Sequence, residues 1–566
     1  MPGCIARTAL HEALPESECF RRILLLSKLG GSGLRSRFAL AWVASLFVGG
    51  CGLLIGLEDR DLPLDGTDSG ATDGTAPGID GSKVDTGSDA PVVTDGSPTD
   101  TGVDSPQDAG SDASDADADA CACANGCNAE GVCLDEIVSI GIGRLHQCIV
   151  RGDGKIFCMG GNQFHQLATN ATALSEVWRA VPVTNGATEI LFKEIGVGPL
   201  SNCAISRDGD LYCWGSNSFL QLAQAGGGTI VTPTKVDLGG LKVKAVSVGA
   251  QSTCAIVDVA SPTANVRCWG HSSSGDLGVG FDTTDGGDAG PYSYSTPQTV
   301  KDLRAKAVHV LDSDADEIGR ACAISETGDL PFCWGATPNH EITSAVPSTM
   351  CDPTGAGAFP CYFTPTAWGA NASRDIGNGL GDVCALEVAD AGNTIRCRGT
   401  LGLNALDNQC GAPNTGFAIT VPDGGGNPVR LGSSASARCF VNEGGDVWCF
   451  GSNQSFQSAR EGSDNCVDAG VMLPPDRRPA VPLRVTFYPD GGTSASGEGV
   501  PVKAKLIAVG RNGVVVYTTD KKIVGWGANI EGAFGTRPAA DAEAPFCASV
   551  DGRCQGPTII PPPAFP

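Results

Sequence analysis

The chain has 566 residues with 78 Gly, 35 Pro and 25 Cys, 41% apolar and only 6% aromatic side chains, which is room for one large all-β domain or several small ones and excludes a coiled coil or a helical membrane bundle. So many cysteines imply an oxidising compartment or a metal array. A net charge of −25 excludes a nucleic-acid backbone as partner, because binding phosphate requires a basic face.

Residues 1–50 read as a leader. Arg35-Ser36-Arg37 precedes the apolar run Phe38 to Val48 and then Gly49-Gly50-Cys51. The run is too short to span a bilayer and has the parts of a secretory signal. Val48-Gly49-Gly50-Cys51 resembles a bacterial lipobox, which implies cleavage before Cys51 and lipidation of its thiol and amine. The mature N-terminus would then be residues 51–57, anchored in the cell envelope. Gly52 in place of Asp implies an outer-membrane lipoprotein facing periplasm or exterior. The alternative is an ordinary signal peptide with a soluble product. Cys4 and Cys19 do not fit an n-region, and a mis-assigned start codon explains them.

Residues 58–120 hold 17 acidic against 2 basic side chains and no aromatic one. Such a segment buries too little apolar surface to offset chain entropy and is expected to be a disordered tether. Asp115, Asp117 and Asp119 suggest a calcium loop, but Ala120 and Gly126 stand where an EF-hand needs Gly and Glu. Residues 121–136 form a Cys-rich collar. Cys121, Cys123, Cys127 and Cys133 are a possible zinc set, but they lack paired C-x-x-C knuckles, and two disulfides fit an exported chain better.

One string then returns along the chain. It reads CIVRGDGKIFCMG from Cys148 to Gly160, CAISRDGDLYCWG from Cys203 to Gly215, and CAISETGDLPFCWG from Cys322 to Gly335. Further copies start at Cys254, Cys384 and Cys439, and a seventh, VVYTTDKKIVGWG, at Val515; the starts are 55, 51, 68, 62, 55 and 76 residues apart. Each copy is two apolar runs around a turn such as Arg207-Asp208-Gly209, the pattern of a β-hairpin. The midpoint between paired cysteines falls in the turn, so they face one another at disulfide distance. The expected bridges are Cys148 with Cys158, Cys203 with Cys213, Cys254 with Cys268, Cys322 with Cys333, Cys384 with Cys397 and Cys439 with Cys449. In the seventh copy Val515 and Gly525 replace both partners together. Spacing pairs Cys351 with Cys361 and Cys547 with Cys554, and elimination leaves Cys410 with Cys466.

A strand-like run ending in Gly precedes each hairpin, as in Lys193 to Gly198 and Leu506 to Gly510. Trp214, Trp269, Trp334 and Trp526 close four of the hairpins, each followed by Gly, and Pro-x-x-Val pieces follow at Pro233 and Pro297. With these parts the units resemble the repeats of the regulator of chromosome condensation family, seven of which close into a β-propeller. The resemblance covers Ile137 to Ile560 and implies an all-β, seven-bladed propeller over 137–560 with a tail at 561–566. The Trp residues are then interblade core. The first copy shows no Pro-x-x-Val piece and Pro557-Thr558-Ile559-Ile560 ends the last, so the C-terminal strand is expected to complete the first blade.

No histidine lies in a metal or catalytic spacing, and no nucleophile elbow, P-loop or dinucleotide fingerprint is present. His146 reads as scaffold, and His165 and His340 as degenerate loop positions. No catalytic residue, metal or cofactor is assigned. The expected function is an envelope-anchored, monomeric binding module that recognises a protein or cell-surface ligand through insertions at 277–300, 336–370, 400–428 and 452–500. The alternatives are an envelope hydrolase at the channel mouth, marked by convergent acids or a His beside one in a concave pocket, and a structural envelope lipoprotein without a specific ligand.

Overall fold

The structure of the protein is a computed structural model. It describes residues 123–564 apart from 273, 281–292, 311–318, 339, 344–349, 352–358, 380, 400–416, 435–436, 452–481, 488–498, 530 and 535–552. The leader, Cys51, the acidic tether, Cys121, Cys410, Cys466 and Cys547 lie outside the described residues.

Seven antiparallel sheets follow one another, six of them four-stranded meanders hydrogen-bonded in chain order and the fourth a like meander with one strand added outside its rim. Blade 1 comprises Ile137–Ile142, His146–Arg151, Ile156–Gly160 and Ser175–Val181, and blade 7 comprises Ala504–Val509, Gly513–Thr518, Ile523–Ala528 and Arg553–Ile560. The first strands of all seven blades line one central cavity, so the first strand is innermost and the fourth lies at the rim. The second strands are buried along their whole length, as His146–Arg151 and Ser252–Val257 show, because both of their faces meet neighbouring blades.

Each of the six cysteine pairs joins directly opposed residues of the second and third strands, with Cα atoms 4.0 to 4.1 Å apart. In blade 7, Val515 and Gly525 occupy that same register. A Cβ on Gly525 would stand 2.5 Å from Phe534. Phe534 thus fills the volume the sulfurs take elsewhere, where the loop residue is the smaller Leu167, Leu222, Leu277 or Ile342. Val, Gly and Phe together substitute for a bridge and a Leu.

Every seam between blades is an apolar layer. Trp214 of blade 2 packs on Cys148, Cys158 and Leu167 of blade 1, and Trp269 of blade 3 on Cys203, Cys213 and Leu222 of blade 2. A buried indole needs a hydrogen-bond acceptor. Trp214 Nε1 donates to Gln166 O at 2.8 Å, Trp269 Nε1 to Gln221 O at 2.9 Å and Trp334 Nε1 to Asp276 O at 2.8 Å, each on the preceding blade. Blade 5 has Arg398 in the Trp position. There Trp368, directly after the rim strand Phe359–Ala367 of blade 4, donates to Glu341 O at 2.8 Å, and the Arg398 guanidinium lies 4.8 Å above its ring. The indole has moved across the seam while its acceptor position stays in place.

The expected closure is not what the structure shows. Arg553–Ile560 pairs with Ile523–Ala528 and completes blade 7, while blade 1 has its own rim strand, Ser175–Val181. In register, Trp178 and Val181 stand where Pro233 and Val236 stand in blade 2. The Pro-x-x-Val pattern was therefore present in blade 1 with Trp for Pro. The ring closes by packing instead. Ile142, Ile149 and Met159 of blade 1 meet Val515, Phe534 and Ile560 of blade 7, and Gln147 Nε2 donates to Ala533 O at 2.6 Å.

The loop after each third strand explains the histidines. His165 and His340 have φ of 61° and 59°, and Leu220, Gly275 and Gly532 at the same position have 62°, 75° and 70°. This is a left-handed turn that Gly enters freely and other residues at some cost. His146 is buried, its Nε2 2.9 Å from Asn202 Oδ1 of blade 2, and burial pushes its pKa down to about 4. It is a neutral strut between two blades.

Candidate functional site

A four-stranded meander sends its connections alternately to opposite faces. In every blade the links from first to second strand and from third to fourth leave on one face, and the hairpin turns and interblade links on the other. Turns such as 152–155, 207–210 and 519–522 are tight, whereas the third-to-fourth connections include 272–292, 337–358, 400–416 and 452–482. The insertions at 277–300 and 336–370 thus belong to the connection face. Those at 400–428 and 452–500 divide between the two faces, because the rim strands Phe417–Ala418 and Leu483–Arg484 interrupt them. Cys351 and Cys361 form a disulfide beside Met350–Cys351, an added strand on the rim of blade 4.

The collar sits on the opposite, tight-turn face. Gly152 N donates to Glu136 O at 2.7 Å, Asp153 N to Leu134 O at 3.1 Å and Asn128 Nδ2 to Gly152 O at 3.0 Å. Burial pushes the Glu136 carboxyl up, but Lys505 at 2.5 Å and Lys521 at 3.2 Å outweigh it and hold it below the usual range. The sulfurs of Cys123, Cys127 and Cys133 lie within 4.8 Å of one another. Cys123 is bridged to Cys133 and Cys127 is also disulfide-bonded, so none of the three offers a thiolate to a metal.

The central channel holds a cavity of about 330 Å³. An innermost strand has alternate N–H groups with no partner strand. Neighbouring blades supply acceptors: Ser139 Oγ takes Ile195 N at 3.1 Å, Ser247 Oγ takes Val310 N at 2.9 Å and Asp375 Oδ2 takes Leu431 N at 3.0 Å. Glu194 does the same toward the Val246 backbone, and burial raises its pKa. The other Asp375 oxygen, Oδ1, accepts Ile376 N at 3.0 Å. His309 and Asp375, from adjacent first strands, share this cavity with Arg430 and Ser433. Burial lowers the His309 pKa and raises that of Asp375, each offset in part by the other.

A His beside an acid in a concave pocket is the feature a hydrolase would show. Here both Asp375 oxygens are engaged by backbone N–H groups, and among the described residues the His309 imidazole has no hydrogen bond to a carboxylate or hydroxyl. Among the described residues, neither group is hydrogen-bonded to a nucleophile. These channel groups were missed in the sequence, although aligning the first strands exposes them. The fifth position reads Gly141, Gly196, Ser247, His309, Gly377, Gly432 and Ala508, and only one of these is large and polar.

The molecule is therefore a seven-bladed propeller of repeated four-stranded blades, six of them stapled, with long connections gathered on one face. Residues 192–221 and 208–256 match family models of the regulator of chromosome condensation (RCC1) repeat. The chain is 25% identical to protein pim1 of Schizosaccharomyces pombe over 220 residues, 37% of this chain and 39% of that protein. It is 24% identical to the mitochondrial RCC1 domain-containing protein RUG3 of Arabidopsis thaliana over 272 residues, 46% of this chain and 54% of that protein. The chain thus spans about two fifths to half the length of the curated relatives it matches. Among solved structures, Prp20p of Saccharomyces cerevisiae aligns with TM-score 0.52 at 16% identity, covering 75% of this chain and 87% of that one. Human WBSCR16 aligns with TM-score 0.50 at 15% identity, covering 72% and 94%. Both share the fold.

Proposed function

We propose that this protein is a non-enzymatic recognition propeller, tethered to the cell envelope through Cys51 and the acidic segment 58–120, that binds a protein partner with its connection face. The observation that carries the reading is the segregation of the two faces. The collar occupies the tight-turn face, and the third-to-fourth connections, longest in blades 3, 4, 6 and 7, leave on the other. Loops on a rigid scaffold can vary without loss of the core, which is how propellers acquire partners. The solved relative Prp20p is described with binding to Gsp1p and histones, and in another structure it is bound to Kap60. Those are protein partners of a shared fold, and they support the class of ligand rather than its identity.

Capture from envelope extracts tests this reading. The full chain should retain a protein saturably, and a variant with 452–481 replaced by a short Gly-Ser linker should lose most of it at an unchanged melting temperature. Equal capture by both would refute the connection face. Anchoring is tested separately by palmitate labelling: label should enter the native chain and be absent from Cys51→Ala. Label that persists in Cys51→Ala would refute the anchor.

A further inference from the structure

The seven blades are an internal control for one another, and the channel departs from their common pattern on one side only. Blades 7, 1 and 2 contribute Ile507, Val509, Ile140, Ile142, Ile195 and Val197 to the cavity wall, all aliphatic. Blades 4 to 6 contribute His309, Asp375, Arg430 and Ser433. Asp375 caps a neighbouring N–H as Ser139 does at the equivalent position, whereas His309 replaces Gly, Ala or Ser. A polar residue that breaks a repeat without a structural partner points to function.

The free charge at the cavity has a definite sign. Arg430 is exposed at the cavity and makes no ion pair or hydrogen bond among the described residues, and its charge acts across the cavity on Asp375. The His309 ring makes no hydrogen bond among the described residues either. Asp375 Oδ1 and Oδ2 each already accept a backbone N–H. A guanidinium fork and an imidazole N–H are donors that match a carboxylate. A volume of about 330 Å³ is near the lower end of small-molecule pockets, roughly 300 to 1,000 Å³, and suits a small molecule.

We propose that the channel cavity binds a small hydrophobic carboxylate, its head held by Arg430 and His309 and its aliphatic body lying against the wall from blades 7, 1 and 2. The site is separate from the connection face, so it stands or falls independently of partner capture.

The test is titration of the full chain with 4-methylpentanoate, followed by calorimetry and by melting temperature. Saturable binding of the acid is expected, with at least tenfold weaker binding of 4-methylpentanamide. Arg430→Gln, at an exposed position, should weaken the acid at least tenfold while melting as the native chain does. Ala508→Leu, which fills the cavity from the apolar side, should also abolish binding and keeps the proposal testable if the arginine variant is unstable. No binding of the acid at about 10 mM, a level that would detect an affinity weaker than 1 mM, would overturn the proposal. Equal binding of acid and amide, or undiminished binding by Arg430→Gln, would overturn it as well.

Discussion

Blades 2 and 3 and blades 4 to 6 solve the same packing problem differently. In blade 2 the seams are Trp, Cys and aliphatic side chains and the second strand begins with Ser201, while in blade 3 Ser252 meets the buried Asp276 carboxyl, whose pKa burial pushes up to about 7. In blades 4 to 6 the matching region holds fully buried charges. Arg320 pairs with Glu341 at 2.9 Å, and Arg438 pairs with Asp382. Arg320 also donates to Ala336 O at 2.7 Å and Gly379 O at 3.1 Å, tying blade 4 to blade 5. Burial together with the neighbouring Arg320 lowers the Arg438 pKa to about 9. The comparison teaches that a repeat can be held without a buried ion pair, and that ion pairs enter where long connections must be pinned. Both pairs lie at the connection-face ends of their strands, directly where insertions leave.

The comparison can be broken first at Arg320. Arg320→Met takes the guanidinium away from the buried Glu341 carboxylate and should cost about 3–5 kcal/mol, seen as a large drop in denaturation midpoint. Ser201→Ala at the equivalent place in blade 2, whose hydroxyl has no hydrogen-bond partner among the described residues, should cost under about 1 kcal/mol. Equal losses would show that the ion pair is incidental.

A second test removes residues 556–566. It strips the rim strand of blade 7, uncovering Ile523 and Phe534, and hydrogen exchange should rise in 523–528 and much less in 156–160. The reverse pattern would restore the closure expected from sequence.

His146 gives the next effect, and its sign follows from its depressed pKa. The neutral ring contributes stability that is fully present above the unfolded pKa near 6.5 and is lost as pH falls through about 4. The loss should reach about 3 kcal/mol, and His146→Gln should flatten it. An unchanged acid profile in that variant would contradict the strut. A double Cys203→Ala, Cys213→Ala variant should cost about 2–3 kcal/mol in thermal melting, against little change on reduction at blade 7, which has Val515 and Gly525. The smallest effect is at Glu136. Its lowered pKa adds stability present above the unfolded carboxylate pKa and lost as pH falls through the folded one. Lys521→Gln should weaken that acid dependence by under about 1 kcal/mol.

Much of this architecture was legible in the sequence because sulfur marks register. Two cysteines equidistant from a turn locate both strands of a hairpin at once, and the joint loss at Val515 and Gly525 shows that they are partners. Closure was misread because one residue of a short pattern differed, Trp178 for Pro, and the rim strand tolerates either. Arg398 looked like a lost Trp, yet the indole had only moved to Trp368, a shift across a seam that no single repeat contains. The channel groups were hidden for another reason. His309, Asp375, Arg430 and Ser433 are spread over three repeats, and only the ring brings them to one cavity.

The central claim, that recognition belongs to the connection face, is tested most directly by placing a photocrosslinker at either of two exposed residues of one blade. Ser218 lies in the third-to-fourth connection of blade 2 and Asp208 in its hairpin turn. Crosslinks to a specific envelope protein from Ser218 and none from Asp208 are predicted. Crosslinks from Asp208 alone would contradict the account.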